Sequence, residues 1–349
     1  MPVALRALAL VALLAAAPAL AAAQAPPADT LTSDIVSYGA RTAEADYVRR
    51  EAMIPMRDGV KLYTLILMKT GTAKAPILLE RTPYGADGKL QRLPSQKLGQ
   101  LVPPEDAAYV EDGYIRVWQD VRGKGRSEGT YVANRPISGP LNPTGIDHAT
   151  DAYDTVEWLV RNVPQANGNV GVIGGSYGGF TTLMATLGGH PALKAAVAIN
   201  PMVDVWMGDD WFHHGAFRPI TLAVVPLMMS GKPGGQTTPT GAVDLYARML
   251  EAGSTGDFMR RYGLEAFPAA RRFMEHPAYD GWWQGQALDK VLASRPITTP
   301  LLLVGGRYDE QDQYGAPAVF RALQPLDRER KVSLLLGPWA HMGVLGDGS

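Results

Sequence analysis

The stretch that decides the fold is GVIGGSYGGF, Gly171 to Phe180, in which one serine stands among five glycines. Its first residues belong to an apolar run, Val170 to Ile173, and its last residue begins an apolar helical pattern, FTTLMATLG. Gly174, Ser176 and Gly178 form the pattern G-x-S-x-G. A sharp strand-to-helix turn strains the backbone of such a serine, so glycines are expected two residues before and after it. The stretch therefore predicts a strand, a turn that presents Ser176, and a helix.

A nucleophilic serine needs a base and an acid, and in this kind of architecture the acid comes next in the chain and the histidine last. The chain has six histidines, and the last, His341, follows the strand-like run KVSLLLG. Asp309 lies just beyond the run PLLLVGG, whereas the other histidines precede any acid that follows a strand in this way. Taken singly, Asp309 and His341 are each equally consistent with an ordinary loop residue that has no catalytic role. Because both fall at strand ends in the required order, we predict the triad Ser176, Asp309 and His341.

Strand-like apolar runs recur along the chain, and several are nearly continuous, as strands buried on both faces of a mostly parallel sheet require. Between two of them, residues 144–162 place apolar side chains on one helical face, and Thr144 with Asp147 offers a capping box. Alternating strands and helices predict an α/β fold. The runs are 61–68, 75–82, 114–121, 169–175, 193–200, 300–306 and 331–337.

Composition limits the function classes. The formal net charge of −1 over 349 residues gives no electrostatic footprint for nucleic acid, because phosphate binding requires a clustered basic excess. The chain contains no cysteine, so it has neither disulfides nor a thiolate metal site. The predicted chemistry needs neither a metal nor a cofactor, and we expect none.

The N-terminus predicts export. Residues 1–23 contain one positive charge, an apolar run and small residues in ALAAAQ, which together are typical of a signal peptide, with a membrane anchor as the alternative. A periplasmic or secreted protein is therefore expected, with no membrane contact after cleavage. We then expect an arm at 24–50, a core at 51–200, a helical cap inserted at 201–295, and the rest of the core at 296–349.

Several longer motifs lie between about Tyr47 and His341: MIPMRDGVKLYT, ILLERTPYG, DVRGKGRSEG, GSYGGF, WMGDDWFHHGAFR and GPWAH. Together they resemble the α-amino acid ester hydrolases, a branch of the CocE/NonD group that also holds cocaine esterase and X-Pro dipeptidyl-peptidase. The resemblance implies an α/β-hydrolase fold with an inserted helical cap. It also implies a homo-oligomer as one option for the assembly.

Further site residues follow from this resemblance. It places the nucleophile on Ser176 and the oxyanion hole on the backbone N–H of Tyr177 and the hydroxyl of Tyr84. An ordinary strand-end tyrosine is the alternative for Tyr84. The family's carboxylate cluster, which binds the substrate's α-ammonium group, maps onto Asp210 and Asp312.

The chain departs from the family pattern in two places. The family has D-Q-E-D where residues 309–312 read D-E-Q-D, so Gln311 stands at the glutamate position and Glu310 is expected to turn inward or leave one charge missing. The family also continues into a C-terminal jelly-roll domain, whereas this sequence ends eight residues after His341, and we expect that domain to be absent from this chain.

The resemblance implies a serine hydrolase and acyltransferase that cleaves α-amino acid esters and β-lactam side-chain amides through an acyl-enzyme. The substrate would be a small amino acid ester or β-lactam. A general carboxylesterase or a glutaryl-type acylase of the same fold is the first alternative. The second is a truncated, inactive relative that only binds acyl compounds or partner chains.

Overall fold

A computed structural model describes residues 35–38, 45–90, 95–208, 211–218, 228, 244–341 and 343. The predicted signal peptide at 1–23 and the first part of the arm lie outside these described residues. No helix in the described ranges is both long enough and apolar enough to cross a membrane.

A nine-stranded sheet forms the centre of the described chain, in the order β1-β2-β3-β5-β4-β6-β7-β10-β11. Strands β1, β2, β3 and β5 pair antiparallel with one another in this order. Strands β5, β4, β6, β7, β10 and β11 run parallel to one another. A separate hairpin is formed by β8 and β9. The strands are β1 (Ile35–Tyr38), β2 (Tyr47–Pro55), β3 (Lys61–Lys69), β4 (Ala75–Thr82), β5 (Ile115–Asp120), β6 (Ala166–Gly175), β7 (Leu193–Ile199), β8 (Phe212–His213), β9 (Ala216–Phe217), β10 (Leu301–Gly306) and β11 (Val332–Gly337).

Helices cover both faces of the sheet, and β3 shows why its apolar run is continuous. Successive side chains of a strand point to opposite faces. Leu62 and Ile66 pack on the side of helix α3 (His148–Asn162), whereas Tyr63 and Leu65 pack on the side of α1 (Leu98–Leu101) and α2 (Pro104–Glu111). The helices outside the cap are α1 (Leu98–Leu101), α2 (Pro104–Glu111), α3 (His148–Asn162), α4 (Tyr177–Gly188) and α10 (Gly315–Leu323).

The N-terminal arm is not wholly outside the core, which corrects the boundary at residue 51. Strand β2 begins at Tyr47 and pairs with β3 along its length, and β1 pairs with β2 in turn. In β2 every second residue is buried, among them Arg50, whose Nη1 donates to Gln165 Oε1 at 3.1 Å. A charged residue on the inward face hides the alternation that would mark this strand in the sequence.

Helix α3 begins one turn later than the predicted capping box implied. Its N-cap is Asp147, whose side chain accepts from the backbone N–H of Thr150, and the Thr150 hydroxyl accepts from the N–H of Asp147. Thr144 instead bonds within the preceding loop, to Asn142 Oδ1 and the carbonyl of Ile146. The capping residue is therefore the aspartate, and the reciprocal partner is a threonine.

Between β7 and β10 the described chain is mainly helical. Its aromatic side chains pack together, with Trp206, Phe212 and Trp283 in mutual ring contact. Of the predicted cap, residues 209–210, 219–227 and 229–243 lie outside the described residues. The helices here are α5 (Leu245–Ala252), α6 (Thr255–Arg261), α7 (Pro268–Glu275), α8 (Gly281–Gln284) and α9 (Leu288–Ala293).

Candidate active site

Ser176 occupies the turn between β6 and α4. Its φ of 58° and ψ of −123° lie in a region that non-glycine residues rarely adopt. The backbone N–H of Ser176 donates to the carbonyl of Ile199 at the end of the neighbouring strand β7, at 2.9 Å. The sequence pattern thus corresponds to the strand, strained turn and helix that it predicts, and the turn is fixed to the next strand.

Of the two glycines in the motif, Gly174 is sterically required as predicted, whereas Gly178 is not. A Cβ atom on Gly174 would lie 2.5 Å from the carbonyl oxygen of Gly178, so Gly174 is required. A Cβ on Gly178 itself would meet only the carbonyl of Arg81, at 4.0 Å. A Cβ on Gly179 would lie 2.8 Å from a backbone atom of the loop after β7. The second sterically required glycine is therefore Gly179, not the one two residues after the serine.

Asp309 and His341 form a direct, buried pair. The Nδ1 atom of His341 lies 3.0 Å from each carboxylate oxygen of Asp309, and the two residues are 5% and 4% exposed. Two backbone N–H groups, those of Gln311 and Asp312, donate to Asp309 Oδ1 at 2.8 and 2.9 Å and fix the carboxylate. With a carboxylate on Nδ1, that nitrogen carries the proton and Nε2 is left as the basic nitrogen.

The environment keeps Asp309 ionised. Burial acts to raise the pKa of Asp309, but the hydrogen bond from His341, its positive charge and the two backbone N–H groups outweigh burial, so the pKa lies below its ordinary value. An ionised carboxylate at this position orients the imidazole and stabilises the imidazolium that forms when the ring accepts a proton.

The three predicted triad residues lie at one edge of the sheet. Ser176 follows β6, Asp309 follows β10 and His341 follows β11, and the sheet order β6-β7-β10-β11 places these strands close together. Because all four strands run parallel, their carboxyl ends meet at the same edge. The structure therefore brings Asp309 and His341 into contact and puts Ser176 at the same edge.

Two other histidines of the described chain pair with carboxylates outside this site. His190 Nε2 lies 2.8 Å from Glu157, and His276 Nδ1 lies 2.7 Å from Asp280. His148 is buried, and neither of its ring nitrogens has a hydrogen-bond partner among the described residues. Among these residues, only His341 contacts the Asp309 carboxylate through a ring nitrogen.

The two predicted oxyanion donors occupy different environments. Tyr177 is the first residue of α4, so its backbone N–H has no acceptor within the helix and lies at the positive end of the helix dipole. The Tyr177 ring is fully buried, and its hydroxyl accepts from the backbone N–H of Asn134 at 3.0 Å. Tyr84 follows β4 and is 48% exposed, with its backbone N–H donating to Thr82 Oγ1. An exposed phenol at this edge is accessible to a substrate.

The predicted ammonium-binding carboxylates are only partly brought together. Asp312 is 1% exposed, and its Oδ2 lies 3.9 Å from His341 Nδ1. Glu310 is exposed rather than turned inward, and its Oε1 accepts from Gln311 Nε2 at 3.5 Å. Asp210 lies outside the described residues. Of the predicted carboxylates that the structure describes, only Asp312 is therefore buried beside the Asp309–His341 pair.

Sequence reasoning missed several residues at this edge. Asn200 directly follows β7 and bonds to the backbone of His341 at 3.0 Å. Lys124 is buried with its Nζ 4.4 Å from the centre of the Tyr131 ring, and burial lowers its pKa to about 8. The Tyr131 ring lies 6.4 Å from that of Tyr177. The position of Asn200 at a strand end is the one sequence signal that marks any of them.

Comparison with known proteins gives consistent relatives. The profile of the family described as X-Pro dipeptidyl-peptidase (S15 family) matches residues 58–343. Cocaine esterase from Rhodococcus sp. (strain MB1 Bresler) is 26% identical over 311 residues, which cover 86% of this chain and 50% of that protein.

Two solved structures are more similar. An aminopeptidase from the marine sediment archaeon Thaumarchaeota archaeon is 46% identical with a TM-score of 0.84, covering 92% of this chain and 53% of that chain. A selenomethionine-labelled α-amino acid ester hydrolase is 47% identical with a TM-score of 0.84, covering 93% of this chain and 53% of that chain. The chain spans about half the length of these relatives. The predicted α/β-hydrolase fold is confirmed. By the extent of the profile match, the chain belongs to the X-Pro dipeptidyl-peptidase (S15) family.

Proposed function

We propose that this chain is a serine hydrolase that cleaves esters and amides whose acyl part is an α-amino acid. The observation that carries the proposal is the buried contact of His341 Nδ1 with both carboxylate oxygens of Asp309, at the sheet edge where Ser176 occupies a strained turn. This arrangement supplies a nucleophile, an oriented base and a charge that stabilises the protonated base.

The reaction proceeds in two halves. Ser176 Oγ attacks the substrate carbonyl while His341 Nε2 accepts its proton, and the N–H of Tyr177 and the hydroxyl of Tyr84 donate to the oxyanion that forms. Collapse of this intermediate expels the alcohol or amine, to which His341 returns the proton, and leaves an acyl-enzyme on Ser176. Water then takes the acyl group, as does the free amine of a β-lactam nucleus in the acyl-transfer reaction.

The α-ammonium preference is supported by relatives and by one local feature. The two solved relatives with 46% and 47% identity are named as an aminopeptidase and an α-amino acid ester hydrolase. Asp312 provides a buried carboxylate beside the triad. A carboxylate about 4 Å from an ammonium gains about 4 kcal/mol at an effective dielectric of 20. We assign this role to Asp312 together with Asp210, with the exposed Glu310 at the periphery.

The serine chemistry is tested first with Ser176→Ala. This variant should lose hydrolysis of phenylglycine methyl ester and also lose covalent labelling by a fluorophosphonate. Tyr84→Phe is the second variant, and it should lower kcat by about 10²- to 10³-fold if the phenol donates to the oxyanion. Turnover that persists in the alanine variant would rule out the mechanism.

The acyl preference requires a separate comparison. The ratio of kcat/KM for an α-amino ester to that for its desamino analogue should exceed one in the wild type and fall in Asp312→Asn. Gln311→Glu restores the charge found in the family pattern and should raise the ratio. Equal kcat/KM values for the two esters in the wild type would reject the ammonium site and leave a general carboxylesterase.

A second candidate is an acylase for acyl groups that end in a carboxylate, such as glutaryl amides. It is favoured by the hairpin β8–β9, where the His213 ring bonds to the backbone of Gln311 in the acid loop. Burial lowers the pKa of His213, and the positive charge of Arg218 lowers it further, which places one guanidinium near this hairpin. Faster cleavage of a glutaryl than of a phenylglycyl amide would favour this candidate.

Two further points need tests: whether the chain is an inactive binding protein, and whether it is exported from the cytoplasm. Phosphonate labelling of the wild type would argue against a chain that only binds acyl compounds. We further propose export to the periplasm or medium on the basis of residues 1–23, with a small-molecule substrate. Fractionation of the expressing cell tests export, because a protein confined to the cytoplasm would contradict it.

A further inference from the structure

Asn200 occupies an unusual position at the carboxyl edge of the sheet. It follows β7 directly, has a φ of 40° and is 1% exposed. Its backbone N–H donates to the carbonyl of Val304 in β10 at 2.8 Å. The left-handed region costs a non-glycine residue energy, and asparagine tolerates it better than most. Asn200 is therefore held in a strained conformation at the junction of β7 and β10.

The side chain of Asn200 uses both ends of its amide. Oδ1 accepts from the backbone N–H of Gly306, the last residue of β10, at 2.8 Å. Nδ2 donates to the backbone carbonyl of His341 at 3.0 Å. These partners fix which end of the amide is which, because an N–H needs an acceptor and a carbonyl needs a donor. Of the standard side chains of this size, only an amide supplies both groups in this geometry.

Asn200 is thereby connected to the backbone of every triad residue. The carbonyl of Ile199, in the same peptide unit as the Asn200 nitrogen, accepts from Ser176 N–H at 2.9 Å. The carbonyl of Gly306 accepts from Asp309 N–H at 3.4 Å. The amide of Asn200 reaches His341 directly. The three strand ends that carry the triad meet at this one residue.

We propose that Asn200 is a positioning residue that sets the placement of His341 relative to Ser176. This inference rests on the proposed serine hydrolase function. Displacement of a catalytic group by about 1 Å can cost about 10²-fold in rate. Loss of the Asn200 amide releases the His341 backbone from the end of β10, so the effect falls on the chemical step and leaves KM unchanged.

The test uses Asn200→Asp, because aspartate keeps the shape and changes one group. One carboxylate oxygen still accepts from Gly306 N–H, but the other faces the His341 carbonyl without a proton. The rate of fluorophosphonate labelling at Ser176 should fall about 10²-fold relative to wild type near pH 8. At about pH 5.5 a carboxyl in this buried setting regains a proton, and the deficit should shrink to about 10-fold. A purely structural loss would give the same ratio at both pH values.

A matched control is Asn142→Asp. Asn142 is also buried, and its Nδ2 donates to the backbone carbonyls of Pro136 and Ile146 at 2.8 Å each, within its own loop. This variant should lose thermal stability and keep labelling within about 2-fold of wild type, since remote sites act independently. Asn200→Gly is the second test variant, because glycine accepts a positive φ without strain and only the amide is lost. It should label about 10²-fold more slowly at both pH values.

One measurement does not depend on activity. The His341 Nδ1–H proton, which bonds to Asp309, should give a downfield NMR signal in the wild type and in Asn142→Asp, and this signal should shift or broaden in both Asn200 variants. If wild type is not labelled, the serine hydrolase proposal fails and the NMR signal alone decides the role of Asn200. If the Asn200 variants label at the wild-type rate with an unchanged His341 signal, the positioning role is wrong.

Discussion

Replacing Asp309 by asparagine tests how much of the catalysis depends on its charge. Each of the two carboxylate oxygens of Asp309 lies 3.0 Å from His341 Nδ1. At this distance and an effective dielectric of about 20, its attraction to an imidazolium is about 5.5 kcal/mol. A neutral hydrogen bond left in the variant keeps about 1 kcal/mol of this. The transition state therefore loses about 4.5 kcal/mol, which corresponds to a fall in kcat of about 10³-fold.

The assay is kcat for ester hydrolysis near pH 8. Asp327→Asn is a matched control, because the Asp327 carboxylate also accepts two backbone N–H groups, those of Lys331 and Val332, at 2.9 and 2.7 Å. The control variant should keep wild-type kcat. A kcat in Asp309→Asn within about 10-fold of wild type would refute the electrostatic reasoning, because about 1.4 kcal/mol is too little for a charge at this distance.

The remaining predictions concern stability. The folded-state pKa of Asp309 is lowered, so its contribution to the free energy of unfolding should be complete above about pH 4 and be lost as pH falls further. Asp309→Asn should therefore give a flatter profile of Tm against pH in acid than wild type. Parallel profiles would contradict this. Gly179→Ala should lower Tm strongly because its Cβ lies 2.8 Å from backbone, whereas Gly178→Ala should be neutral or stabilise the helix by up to about 1 kcal/mol, as measured by thermal unfolding. Arg116→Met should cost about 3 to 5 kcal/mol in urea unfolding, because it leaves the carboxylate of Asp106, 2.5 Å from Arg116 Nε, buried without its charge partner; a loss under about 1 kcal/mol would show that water replaces the pair.

The strands that the sequence predicts have nearly continuous apolar runs. Strand β3 is buried on both faces, whereas the edge strand β11 keeps an apolar run although Leu335 and Leu336 are exposed. All seven apolar runs correspond to strands of the central sheet, with ends that differ by at most a few residues. A strand such as β3 has no solvent side, so its apolar character is continuous and easy to read. Strand β2 was missed because its signal is an alternation, and the inward positions of that alternation include Arg50. Pairing with Gln165, more than a hundred residues away, makes this burial acceptable.

The order of the triad was predictable, whereas the contacts around it were not. Chain order and strand ends select Asp309 and His341, and the structure places them 3.0 Å apart. The orientation of Glu310 depends on packing of the whole acid loop, which no local pattern encodes. The sequence pattern also left open which glycines matter, because the requirement at Gly179 comes from the loop after β7, a segment distant in the chain.

Glycine at a strand end is nevertheless a readable signal, and β10 explains why. A Cβ on Gly306 would lie 2.3 Å from the carbonyl oxygen of Trp339, in the loop that carries His341. The same loop is fixed by the N–H of Tyr308, which donates to that carbonyl at 3.0 Å. The base can approach the acid only because the backbone of its loop lies directly on the end of β10. A strand that ends in glycine at the carboxyl edge therefore predicts that a second loop crosses it. A Gly306→Ala variant should displace His341 and lower kcat for ester hydrolysis by a larger factor than its loss of stability in thermal unfolding explains.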